Sequence, residues 1–280
     1  MSIGKIFNLL LVSTLWFAGC TKAQVVDMPA PKEPVKAVEK LTKIQNPGRV
    51  IHVLVALCDN VNQGIVPVPK FLGDGEDTVK NLYWGAAYGV RTYFTKSANW
   101  QKLAVIENPK ENVLQRIVFK HKTQNVYLVA DAYRGIKMKE TVADFLSAAS
   151  GEKLENIEAG GHKLQILGSA DLVAFVGHNG LMDFKLAEMP AKHDDAKRDA
   201  VILACASRSY FTAPLKAAGA NPLLWTSNLM APEAYILHDA IEGWVRNESG
   251  RQIQVRAAAA YAKYQKISQG AAERLLVTGW

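Results

Sequence analysis

Two side chains sit where they could act as a nucleophile and its base. His178 follows the apolar run Leu172-Val173-Ala174-Phe175-Val176-Gly177, and Cys205 follows Ala200-Val201-Ile202-Leu203-Ala204. A thiol and an imidazole held together can carry acyl transfer through a thioester. Each residue alone has a plainer reading. A cysteine ending an apolar strand is usually inert core, and a lone histidine is usually structural. The shared placement raises the pair above that reading, because ligands of open α/β sheets bind beyond the carboxyl ends of the strands. If the two strands are neighbours, their tips lie about 5 Å apart. Small residues follow Cys205, and a helix is expected from about Ser209 to Ala218. A thiol near a helix start gains from the helix dipole, which favours the thiolate.

The elements that must position this pair follow from the hydrophobic pattern. Val50 to Leu57 is a continuous apolar run, the mark of a strand covered on both faces. Further strands are expected at Leu103–Glu107, Val113–Lys120, Asn125–Ala130, Ala170–Val176, Ala200–Ala204 and Leu223–Thr226. Helices are expected at Thr78–Phe94, Met138–Ala149, Pro232–Asn247 and over most of Gln252–Leu276. Strands alternating with helices imply an α/β domain with a mostly parallel sheet.

Composition narrows the function. The chain has 280 residues, 49% hydrophobic and 21% charged, enough for one domain with a full core and no staples. The net charge of +7 comes from scattered Lys and Arg, with no basic run interleaved with aromatics, so no nucleic-acid partner is expected. The three cysteines, Cys20, Cys58 and Cys205, lack CxxC spacing, and Asp74-Gly75-Glu76-Asp77 lacks the ligand spacing of a calcium loop. No GxSxG elbow, Walker loop or dinucleotide GxGxxG is present. Neither a metal nor a cofactor is expected.

Residues 1–19 read as a signal peptide: Lys5 precedes an apolar stretch shorter than the roughly 18 residues that span a bilayer. Phe17-Ala18-Gly19-Cys20 resembles the lipobox of bacterial lipoproteins, which implies cleavage before Cys20 and lipid on its thiol. Residues 20–47, rich in Lys, Pro and Val, read as an extended tether, and residues 48–280 as the domain. The mature protein is then exported and held at a membrane of the cell envelope, facing the periplasm or the exterior.

Gly177-His178 and Ala204-Cys205-Ala206-Ser207 resemble the two signature blocks of the caspase-like cysteine peptidases, the superfamily of caspases, metacaspases, legumains and gingipains. The segments before the histidine (Tyr127–Ala132 and Thr141–Leu146) and after the cysteine (Ala217–Ala220, Leu224–Thr226, Pro232–Ala234) fit the same order over roughly residues 49–250. The resemblance implies a caspase-like three-layer sandwich, a mostly parallel sheet flanked by helices, acting on a peptide or protein substrate. It implies Cys205 as nucleophile and His178 as acid–base partner. Asn179 stands where the family has glycine, so the oxyanion would be held by the Cys205 N–H with that of Asn179 or Gly180. An extended peptide would align on Leu223–Ser227, at Trp225, Thr226 and Ser227. Asp59 and Asn60, after the first strand, would shape a pocket for a basic residue before the cut bond. The alternative is a non-catalytic relative that keeps the fold as a binding or scaffold module of the envelope.

Overall fold

A computed structural model describes residues 41–280. The expected signal peptide, Cys20 and most of the expected tether lie outside the described residues. Eight strands form one mixed sheet. In chain order they are β1 (Arg49–Ala56), β2 (Trp100–Lys110), β3 (Val113–His121), β4 (Val126–Tyr133), β7 (Leu172–Val176), β8 (Asp199–Leu203), β9 (Asn221–Thr226) and β10 (Leu276–Val277). A separate hairpin, β5 (Leu154–Ala159) and β6 (His162–Leu167), lies between β4 and β7 in the chain. The spatial order is β10-β9-β8-β7-β1-β4-β3-β2. The five central strands β9, β8, β7, β1 and β4 run parallel, while β3, β2 and β10 run antiparallel to their neighbours.

The continuous apolar strands are continuous because both faces are covered. Val50 and Leu54 of β1 pack with Val142 and Phe145 of α2 (Met138–Ser150) and Phe211 and Leu215 of α3 (Ser207–Ala218). Ile51, Val53 and Val55 of the same strand face the opposite layer. That layer holds α1 (Val90–Lys96), α4 (Ala234–Val245), α5 (Gly250–Gln265) and α6 (Gln269–Leu275). The period-2 alternation of a strand sorts one apolar run into two cores.

Several expectations need correction. Residues 78–89 are not helical; only Val90–Lys96 is. Buried Asn81 holds this loop, accepting from Cys58 N and Tyr83 N and donating to the carbonyls of Cys58 and Asp74. Pro232 does not open α4, which starts two residues later with Glu233 as its N-cap. The C-terminal helix is two helices, because Lys266 takes a left-handed conformation (φ 58°) at the end of α5. Within the expected tether, Asn46 Oδ1 accepts from Gln165 N at 2.7 Å and Ile44 N donates to the Gln165 side chain, so residues 44–46 are tied to the domain.

Beneath the α2 face lies a buried polar chain. Arg116 on β3 donates two bonds to Asp131 on β4 at 2.6 and 2.7 Å and a third to Glu155 at 2.5 Å. His52 Nε2 meets Asp131 Oδ2 at 3.1 Å, and His52 Nδ1 has no partner. His52 is therefore a core histidine. Burial opposes ionisation of Asp131, but the Arg116 bonds and charge overcome it and hold the carboxyl below the usual range.

Candidate active site

The parallel pairing of β7 with β8 aligns Val176 with Leu203. His178 and Cys205 each stand two residues further on, and Gly177 N still donates to Leu203 O at 3.2 Å. The two residues thus leave adjacent strands side by side, at the carboxyl edge of the sheet. Gly177 makes the exit possible. Its φ is +152°, and a Cβ there would lie 2.9 Å from the Ala56 carbonyl oxygen.

His178 is nearly buried, and its Nε2 lies 2.7 Å from Asp183 Oδ2. Asp183 caps the single 3-10 turn Gly180–Met182 that follows the histidine, and the same oxygen accepts from Gly64 N at 3.1 Å. With Nε2–H donated to the carboxylate, Nδ1 is left as the acceptor, the nitrogen available for proton transfer. A Cβ at Gly180 would come within 2.6 Å of Met138 and 2.7 Å of Phe184, so those two side chains pack directly on the turn.

Asn179, directly after the histidine, is fully buried. Its Nδ2 donates to Cys205 O at 2.7 Å and its Oδ1 accepts from Leu181 N at 3.1 Å. The side chain therefore staples the histidine loop to the cysteine loop. Among the described residues, the N–H groups of Cys205, Asn179 and Gly180 donate to no protein acceptor. They include both alternatives expected for the oxyanion, the Cys205 N–H with that of Asn179 or with that of Gly180.

Ala206, next to Cys205, sits in the left-handed region (φ 48°, ψ 33°), a sparsely populated conformation for a residue with a Cβ. Behind it Ser207 Oγ donates to Ile202 O at 2.9 Å, and Ser207 N donates to Thr226 Oγ1 at 3.1 Å. Thr226 Oγ1 in turn donates to the Ala204 carbonyl. This knot fixes the turn from β8 into α3.

The Cys205 thiol is half-buried. Among the described residues it shares no hydrogen bond with His178; it donates instead to Met230 O at 3.5 Å and accepts from Met230 N at 3.4 Å. Burial first, then the nearby Cys58 and Cys205 thiols, holds the Tyr83 phenol well above its ordinary range. Burial likewise raises Tyr261. Cys58, two residues beyond β1, is a fully buried thiol, and burial pushes it up to about 11. Cys58 and Cys205 are both free, so no disulfide joins them.

The expected substrate residues are placed differently. Asp59 is buried and accepts from Val61 N, Asn62 N and Asn62 Nδ2, so its carboxylate caps its own turn. Asn60 donates to Val68 O and accepts from Val68 N. Both residues border a cavity of about 380 Å³ that Lys70, Asp74 and Glu76 also line. Trp225 is fully buried, with its Nε1 donating to Gly279 O at 3.1 Å, so it walls no open groove. Thr226 is buried in the knot just described. The free edge expected at Trp225–Ser227 is taken: β10 pairs with Trp225 and Thr226, and Ser227 N donates to Leu275 O at 2.9 Å.

Sequence reasoning missed Asp183, Met230 and the two tyrosines. Asp183, five residues from His178, was discoverable as the nearest carboxylate after the histidine. The others approach the cysteine from 25 or more residues away. The chain matches no family model, no curated protein and no solved structure.

Proposed function

We propose that this chain is an exported, lipid-anchored cysteine endopeptidase of the caspase-like kind, acting on peptide or protein substrates. The observation that carries the reading is the in-register exit of His178 and Cys205 from adjacent parallel strands, with Asp183 on the far nitrogen of the imidazole. In this reading Cys205 passes its proton to His178 Nδ1, attacks the scissile carbonyl as thiolate and forms a thioester. His178 Nδ1 delivers a proton to the departing amine, then takes one from the water that releases the acid. The N–H of Cys205, with that of Asn179 or Gly180, receives the developing oxyanion. Asp183 holds the imidazole ring and its tautomer.

Seating of Met230 on the thiol favours a second reading, a non-catalytic relative that serves as a binding module of the envelope. A thiol-directed peptidyl epoxide or acyloxymethyl ketone separates the two. Labelling that depends on both Cys205 and His178 supports the peptidase; labelling that survives in His178→Ala overturns it, as does none in wild type and in Leu229→Gly, which loosens the segment seated on the thiol. The lipid anchor is tested by detergent partitioning of the native protein and Cys20→Ala, and equal recovery of both in the aqueous phase refutes it.

A further inference from the structure

The segment between β9 and α4 crosses the mouth of Cys205. Three main-chain bonds hold it: Ser227 N to Leu275 O at 2.9 Å, Ala206 N to Asn228 O at 2.9 Å, and Ala231 N to the Tyr261 hydroxyl at 3.2 Å. Between these points both main-chain polar groups of one residue, Met230, meet the thiol. We propose that Asn228–Ala231 is a self-inhibitory strap, seated on Cys205 in the resting protein and displaced before a substrate carbonyl can reach the sulfur. The inference rests on reading Cys205 as the reactive thiol.

The geometry explains why the seat blocks chemistry. A carbonyl poised for attack stands about 3–3.5 Å from its nucleophile. Met230 N and O already stand at 3.4 and 3.5 Å from Sγ. They occupy the thiol both as acceptor and as donor, so it is held whether protonated or not. The adjoining strand edge cannot substitute as a landing site, since β10 covers it.

The strap is also built to leave. Leu229 at its crest is 65% exposed, and Asn228 beside it is exposed as well, so lifting the crest uncovers no core. Met230 alone packs partly against the hydrophobic layer. An element with few buried apolar contacts and a handful of backbone bonds belongs to the low-stability end of a fold, where local opening is frequent. Release would return the Ala206 N–H and the thiol together.

The test is the rate at which iodoacetamide alkylates Cys205 in the full chain at neutral pH, read by peptide mass spectrometry, with buried Cys58 as the internal reference. Tyr261→Phe removes the acceptor for Ala231 N–H, and the expected result is a rise of about five- to tenfold in Cys205 labelling with Cys58 still silent. Leu229→Gly, at an exposed position that does not contact the thiol, should raise the rate in the same direction, and carries the test if Tyr261→Phe does not fold. A wild-type rate equal to that of a free cysteine, unchanged in Leu229→Gly, overturns the strap. Faster alkylation without reaction towards a peptidyl acyloxymethyl ketone keeps the strap and removes the peptidase reading. The ketone reacting equally fast in wild type and Leu229→Gly keeps the peptidase and removes the strap.

Discussion

Asp183→Asn tests the orientation of the imidazole with little change in shape. The bond at risk is the 2.7 Å contact of Asp183 Oδ2 with His178 Nε2. A hydrogen bond to a charged group contributes about 1.5–3 kcal/mol when buried. The histidine side chain is 6% exposed but the aspartate 37%, so solvent screening removes a good part of that. About 1–1.5 kcal/mol remains, and at about 1.4 kcal/mol per decade the proton-transfer step should slow by about tenfold. If the new amide turns its nitrogen towards Nε2, the proton moves to Nδ1, which can then no longer accept, and the loss grows. The assay is the reaction of a peptidyl acyloxymethyl ketone with Cys205, resolved into affinity and inactivation rate. Affinity should stay within about twofold while the rate falls, because the carboxylate acts through the imidazole. An inactivation rate equal to wild type, or an effect confined to affinity, would refute the orienting role.

Asn179→Ala cuts the staple between the two loops at a fully buried site and should lower stability by about 1–3 kcal/mol in urea unfolding and slow the same probe; unchanged stability would show the staple to be idle. Cys58→Ala should leave probe reactivity within about twofold, since its thiol is buried and held protonated; a large fall with the fold intact would count against that. Asp131→Asn takes away the carboxylate that accepts two of the three Arg116 bonds, leaving Glu155 as its charged partner, and should cost up to about 3–5 kcal/mol at neutral pH. Because the native Asp131 carboxyl is held below its unfolded range, this stability is complete above about pH 4 and is lost as pH falls further. Parallel acid-unfolding curves of wild type and Asp131→Asn, with a constant gap below pH 4, would contradict it.

The central sheet was readable because its strands are buried on both faces and so appear as unbroken apolar runs ending in polar or glycine residues. The exit of His178 and Cys205 from neighbouring strands was readable for the same reason. The hairpin β5–β6 was missed although Gly160 and Gly161, both at positive φ, form the two-residue turn that such hairpins favour. Its strands alternate weakly, as in Leu154-Glu155-Asn156-Ile157, and carry little apolar signal. The region 78–89 resembled a helix because its aromatics are spaced for one. The loop wins there because Asn81 supplies four bonds to loop groups that a helix would leave unmade, and because Gly85 and Gly89 pack against backbone where no Cβ fits. Trp225 illustrates the other limit. An aromatic near a strand end reads equally as core or as groove, and only the arrival of β10 and Gly279 from 50 residues away decides.

The Arg116–Asp131 pair bears on how the strands find one another. The two residues are direct partners in the antiparallel register of β3 and β4. A slip of one residue would turn every β3 side chain to the opposite face, sending the guanidinium into the layer of Phe94 and Trp100 and leaving Asp131 charged among apolar neighbours. Either misplacement costs several kcal/mol, comparable to the whole stability of a domain. An all-apolar pair at these positions would tolerate the slipped sheet far better. The buried ions therefore act as a proofreading key. They add little to the strength of the correct sheet and make the wrong ones untenable, and so fix the antiparallel half of the sheet, which β4 joins through β1 to the strands that carry His178 and Cys205.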